Sequence, residues 1–174
     1  APTFKVDPGH AAATFEVTHL GTSTTHGRFN ALSGRYALDA KDLGNSFIEV
    51  TIDAKSIDTN HKKRDDHLRN ADFFDVSKYP SMTFKSTSVT ASGDGYKMVG
   101  DLTIHGITKE VTFDVVGLDK EIKDPWGNFR RGGTATTVVN RQDFGLTYGG
   151  VLESGDLLIG DDVAITLDIE LIRQ

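Results

Sequence analysis

Val163-Ala164-Ile165-Thr166-Leu167-Asp168-Ile169-Glu170-Leu171-Ile172 decides the fold class. Val163, Ile165, Leu167, Ile169 and Leu171 fall on one side of an extended chain, and Ala164, Thr166, Asp168, Glu170 and Ile172 on the other. Successive side chains of a strand point to opposite faces, so this run reads as a strand with one buried and one wet face. The same period of two appears in Phe15, Val17 and His19, and in Ile48, Val50, Ile52 and Ala54. It returns in Tyr96, Met98, Gly100, Leu102 and Ile104, then in Val111, Phe113 and Val115. Ile104-His105-Gly106-Ile107 joins two of these runs through a short turn ending in glycine, which is a hairpin signal.

Residues 60–74 break the period. Leu68, Ala71 and Phe74 are spaced by three in a charged segment, and Asp58 or Thr59 can cap it, so a short polar helix is expected. Residues 120–133 and 148–162 are irregular and rich in Gly and Asp. No repeat, low-complexity tract or linker interrupts residues 1–174, which read as one all-β unit: roughly eight antiparallel strands with a short helical insertion. A closed barrel leaves no long edge exposed, and a two-sheet sandwich fits the same periodicity.

Composition removes several function classes. The 174 residues hold 37% apolar side chains and 18 Gly, enough for a packed core. There is no Cys, which excludes disulfide scaffolds, thiolate metal sites and Cys nucleophiles. A net charge of −6 has the wrong sign for general binding to nucleic acid or to an anionic membrane. No stretch approaches the ~20 apolar residues of a membrane span. The chain begins at Ala1, as a processed secreted protein or a module of a larger one would.

Catalytic and metal signatures are missing. The six His make no HExxH or paired metal spacing, and no GxSxG, GxGxxG, Walker or EF-hand pattern occurs. The 25 carboxylates allow almost any pairing, so they point to no glycosidase dyad. The basic run from His61 to Arg69 could grip an anionic head group, but pairs such as Lys62–Asp66 and Asp65–Arg69 make it a self-paired surface helix as well. Gly34 and Gly100 among bulky neighbours suggest room for a ligand inside a barrel. The lone Trp126, between Pro125 and Gly127, suits a flap over the barrel mouth.

The motifs together resemble the YceI-like family. They include Phe15-Glu16-Val17-Thr18-His19-Leu20-Gly21, Arg64-Asp65-Asp66-His67-Leu68-Arg69 and Ala71-Asp72-Phe73-Phe74-Asp75. Gly100-Asp101-Leu102-Thr103-Ile104-His105-Gly106, Asp124-Pro125-Trp126-Gly127 and Asp143-Phe144-Gly145-Leu146 follow in family order. The resemblance implies an extended, lipocalin-like antiparallel β-barrel that binds a long isoprenoid lipid without catalysis. Polyprenyl phosphates and prenyl quinones such as ubiquinone are the ligands it implies. It also implies a periplasmic or secreted bacterial protein, often dimeric, with no catalytic cofactor or metal. On the inward register, Phe15, Val17, Val50, Ile52, Phe84, Met98, Leu102, Phe113, Ile165 and Leu167 are expected to line the ligand, with Trp126, Phe129, Phe144 and Leu146 near an end. His19, Arg64 and His67 are the expected contacts for its polar end. The competing expectation is a carbohydrate-binding β-sandwich module presenting surface aromatics, which a single Trp and four Tyr furnish poorly.

Overall fold

Each alternating run forms a strand, and the strands close on themselves. The structure is a computed structural model that describes residues 2–39 and 41–174. Its strands are β1 (Phe4–His19), β2 (Ser23–Phe29), β3 (Leu32–Ala37), β4 (Phe47–Asp53) and β5 (Ile57–Asp58). After helix α1 (Lys62–Arg69) come β6 (Ser81–Ser92), β7 (Gly95–Ile104), β8 (Ile107–Gly117), β9 (Ile122–Lys123), β10 (Phe129–Asn140) and β11 (Asp162–Arg173). Neighbours run antiparallel in the order β11-β10-β8-β7-β6-β4-β3-β1, and β1 pairs with β11 from Phe4↔Arg173 to Glu16↔Ala164. That last pairing closes a barrel of eight strands, so the sandwich alternative does not hold. β2 takes over from β3 along the far half of β1, with β5 beside it.

Two bulges set which residues face inward. Between Val6 and Ala11 the β1 register slips, so Phe4 and Val6 point inward before it and Ala13, Phe15 and Val17 after it. A second slip between Ser86 and Ser88 moves the inward set of β6 from Met82 and Phe84 to Val89. One extra residue in a strand exchanges its faces, which a strict period of two does not anticipate. The β7–β8 turn is His105-Gly106 with φ of 56° and 74°, the left-handed pair that a tight hairpin requires.

The helix is shorter than expected, and its cap differs. His61 is the N-cap, its Nδ1 accepting from the Arg64 amide at 3.1 Å. Asp58 instead accepts from the Asn60 amide, and Thr59 is held by the buried Asp65 carboxylate. Lys62 pairs with Asp66 at 3.7 Å as expected, whereas Arg69 pairs with Asp66 rather than Asp65, at 3.0 Å.

The interior divides along the barrel axis. At the end holding the start of β1 and the end of β11, Phe4, Val6, Tyr36, Val89, Met98, Val115, Leu118, Ile169 and Leu171 pack solidly. Gly34 and Gly100 do not open space here. A methyl on Gly34 would strike the Glu49 carbonyl, and one on Gly100 would strike the Lys85 carbonyl and the Phe84 ring. These glycines let strands and rings approach closely. Toward the other end the side chains stop short of one another.

Candidate functional site

The space they leave is a cavity of about 410 Å³, within the ~300–1,000 Å³ range of small-molecule sites. β1 contributes Ala13, Phe15 and Val17 to its wall, β4 Val50 and Ile52, and β6 Met82 and Phe84. Leu102 and Ile104 of β7, Phe113 of β8 and Val163, Ile165 and Leu167 of β11 complete the barrel side. Phe84 and Phe113 meet edge to face at 4.9 Å between centroids and border the packed layer that contains Met98. The Phe15 ring lies against Gly27, whose missing side chain makes the room for it.

Among the lining residues, Thr18, His19, Arg64 and Tyr148 are exposed, so the cavity reaches solvent where they stand. This mouth lies between the β1–β2 turn, α1 and the strap of residues 145–161. α1 meets the strap through a cluster of rings. His67 lies edge-on to both Phe73 and Tyr148 at 5.0 Å, and Phe73 and Tyr148 are 4.9 Å apart. His67 Nε2 donates to Asp72 Oδ2 at 2.9 Å, which fixes the imidazole.

Two arginines border the cavity in different ways. Arg141 is 6% exposed, and its guanidinium donates to the carbonyls of Leu146, Tyr148, Ile159 and Gly160 at 2.6–3.2 Å. Burial pushes its pKa down, and Asp161 at 3.6 Å pulls it back up. It is a strut that shapes the strap, with its donors consumed by backbone. Arg64 donates through Nε to Thr59 Oγ1 at 2.7 Å and through one terminal nitrogen to the Thr59 carbonyl at 2.6 Å. Among the described residues no carboxylate pairs with it, so a cation with a spare nitrogen stands at the mouth. Sequence reasoning missed Arg141, because nothing in the chain distinguishes an arginine that binds carbonyls from one on the surface.

Of the residues expected to line a ligand, Phe15, Val17, Val50, Ile52, Phe84, Leu102, Phe113, Phe144, Leu146, Ile165 and Leu167 border the cavity, and His19, Arg64 and His67 lie toward its mouth. Met98, Trp126 and Phe129 do not. Met98 points inward but belongs to the packed layer, paired across the sheet with Val89 and Phe113. Phe129 begins β10, whereas the mouth lies past its other end at Arg141, so the Trp126 turn cannot be a flap there. Leu68, Phe73, Phe74 and Tyr148 line the cavity without having been anticipated, since they lie on the helix, its following turns and the strap; Thr59, just before the helix, and Val139 of β10 line it as well.

Asp7, His10 and Glu170 place three ligand-type atoms within 4.8 Å of one another on the barrel exterior. Arg130 already supplies the cation there, reaching Asp7 at 2.7 Å and Glu170 at 3.3 Å. Along the cavity, the polar groups of Thr59, Arg141 and His67 are engaged with Asp65, backbone carbonyls and Asp72 respectively, and no activated nucleophile is assembled among the described residues.

Comparison with known proteins places residues 4–171 in register with the YceI-like domain. A UPF0312 protein of Pectobacterium atrosepticum is 40% identical over 171 residues, covering 98% of this chain and 85% of that one. Among solved structures, Burkholderia cenocepacia BcnA superposes with a TM-score of 0.82 at 23% identity, over 95% of this chain and 98% of its own. A polyisoprenoid-binding domain from Saccharophagus degradans superposes with a TM-score of 0.69 at 16% identity, over the full length of both chains.

Proposed function

The chain belongs to the YceI-like family, and from that premise we propose that it binds a long-chain isoprenoid lipid without chemical conversion, tail in the cavity and polar end at the mouth. The observation that carries the reading is the gradient along the cavity: aliphatic and aromatic walls inside, and Arg64, His19 and Tyr148 where it meets water. The polyisoprenoid-binding domain of the same fold supports the choice of ligand class.

Burial suffices as a driving force. Each buried CH2-sized group contributes about 0.8 kcal/mol, so a five-carbon isoprene unit contributes roughly 4 kcal/mol. Two or three units then outweigh the ~4–15 kcal/mol lost on association at the favourable end of that range. A longer tail requires the Phe84–Phe113 floor to swing aside. Between head groups, the spare nitrogen and unpaired charge of Arg64 favour a phosphate over a quinone, because a charge-assisted hydrogen bond is about twice as strong as a neutral one. The role that follows is carriage, storage or protection of the lipid in a periplasmic or secreted setting.

Organic extraction of the purified protein with mass spectrometry of the extract tests the reading. A polyprenyl species at a stoichiometric level is expected. Extracts from several preparations that contain no prenyl lipid, with no uptake of added prenyl phosphate by the emptied protein, refute it.

A further inference from the structure

Trp126 is 78% exposed, Ile122 52% and Phe129 37%, and all three belong to the β9–β10 hairpin at the packed end of the barrel. The turn that presents Trp126 is firmly built. The Asp124 carboxylate accepts from the Trp126 and Asn128 amides, each at 2.9 Å, and from Arg130 Nε at 2.7 Å. Arg130 in turn reaches Asp7 of β1 and Glu170 of β11, which ties the hairpin to the strands behind it. The acid of the turn is therefore directed inward and neutralised, with its carboxyl held below the usual range chiefly by the Arg130 hydrogen bond.

What remains outside is mainly aromatic, aliphatic and cationic, with the exposed Asp119 accepting from the Tyr96 hydroxyl at 2.7 Å. Lys123 lies over the Phe129 ring at 5.8 Å and Arg173 at 5.5 Å, and Lys120 is exposed nearby in sequence. Neither Lys120 nor Lys123 pairs with a carboxylate among the described residues, and Glu121 is shared between Arg131 and Arg173. Over residues 119–131 with Arg173, the five cations Lys120, Lys123, Arg130, Arg131 and Arg173 meet the three acids Asp119, Glu121 and Asp124, a local +2 at the tip of a chain of net charge −6, with Asp7 and Glu170 behind it on Arg130. Trp favours the interface between hydrocarbon and water, where its ring is apolar and its N–H wet, and each Lys or Arg near an anionic leaflet gains about 1 kcal/mol.

We propose that this hairpin tip docks the protein on anionic lipid surfaces, with Trp126, Ile122 and Phe129 entering the interfacial layer and Lys120 and Lys123 on the head groups. Docked in this way, the barrel turns its packed end to the bilayer and its mouth to water. The bound chain then presents the cavity outward to an aqueous acceptor or donor. This goes beyond lipid binding in the cavity and does not depend on it.

Trp126 is the chain's single tryptophan, so its fluorescence reports on the tip alone. The full-length protein is titrated with vesicles of phosphatidylcholine alone or mixed with phosphatidylglycerol. Emission should shift to the blue and become shielded from aqueous quenchers with the mixed vesicles at low salt, and revert as salt rises. In co-sedimentation, Trp126→Ala should weaken binding about 10–100-fold, Ile122→Ser severalfold, and Lys120→Gln with Lys123→Gln roughly fivefold for each cation removed. Unchanged emission with sedimentation retained by every variant overturns the proposal, as does absence of binding at low salt. A concentration-dependent blue shift without vesicles makes the tip a contact between copies and overturns it equally. Extraction of prenyl lipid from the Trp126→Ala protein separates the two readings, since loss of docking leaves cavity occupancy unaltered.

Discussion

Leu102→Trp and Met98→Trp discriminate the cavity from the packing beneath it. Both side chains are buried on the inward face of β7, four positions apart, and of the two Leu102 alone borders the cavity. An indole at 102 has space to enter, and its ring covers about 150–250 Å² of apolar surface that a lipid tail would otherwise cover. If half of that area displaces tail, at ~25 cal/mol per Å² the binding free energy falls by about 2–3 kcal/mol, or roughly 30–150-fold in affinity. At 98 the ring has nowhere to go, because Val89 and Phe113 flank the position across the sheet. Overpacking costs about 1–3 kcal/mol, and in a chain of this size each kcal/mol lowers Tm by about 2–4 °C. Met98→Trp should therefore melt about 2–12 °C lower while the emptied protein binds within about twofold of wild type. The assays are calorimetric titration of delipidated protein with geranylgeranyl phosphate, and thermal unfolding without ligand. Undiminished affinity in Leu102→Trp, or an affinity loss confined to Met98→Trp, would show that the cavity floor lies elsewhere.

Gly27→Ala places a methyl where the Phe15 ring now lies and should drive that ring into the cavity, lowering prenyl-phosphate affinity about tenfold with a Tm loss of about 2–6 °C; unaltered affinity would mean the ring escapes another way. Arg141→Met leaves four strap carbonyls without their donor, and at about 1–3 kcal/mol per unsatisfied buried group the strap should open locally. Faster amide exchange in residues 145–161 and faster lipid release are the expected readouts, and protection equal to wild type counts against the strut. Asp7 has its pKa lowered to about 2, first by the Arg130 hydrogen bond and then by His10. A depressed folded-state value gives stability that is present above the unfolded value near 4 and lost as pH falls toward 2. The Tm gap between wild type and Asp7→Asn should accordingly be widest at neutral pH and close over that window; a gap independent of pH contradicts the pairing.

The strand pattern was legible because barrel walls bury one face, and the runs at 96–104 and 163–171 point inward along their whole length. Where the chain carries a bulge, at Asp7 to His10 and near Thr87, the period slips, and alternation alone cannot say where the inward set resumes. Inwardness and contact with the cavity also proved different properties. Met98 and Leu102 share a face, and what separates them is depth along the axis, which depends on how all eight strands are staggered. Trp126 was misplaced for a related reason: an irregular, glycine-bounded turn has the same composition at either end of a barrel. Arg64, His67 and His19 belong to motifs visible in the chain, whereas Tyr148 reaches the mouth by its ring from the distant strap and Arg141 acts through that strap's carbonyls.

The packed half of the barrel gives the chain a keel. About half of the buried core, from Phe4 and Tyr36 to Leu171, lies away from the cavity, while Val50, Phe84 and Leu167 among others serve both the core and the cavity wall. Sequence change around the hollow half can therefore redraw tail length or branching preference while the fold persists on the strength of the other half. The emptied protein should remain a folded vessel that can be refilled, with cargo adding stability in proportion to the logarithm of its concentration. A single backbone built in this way can serve as the starting point for a series of containers that differ in what they hold.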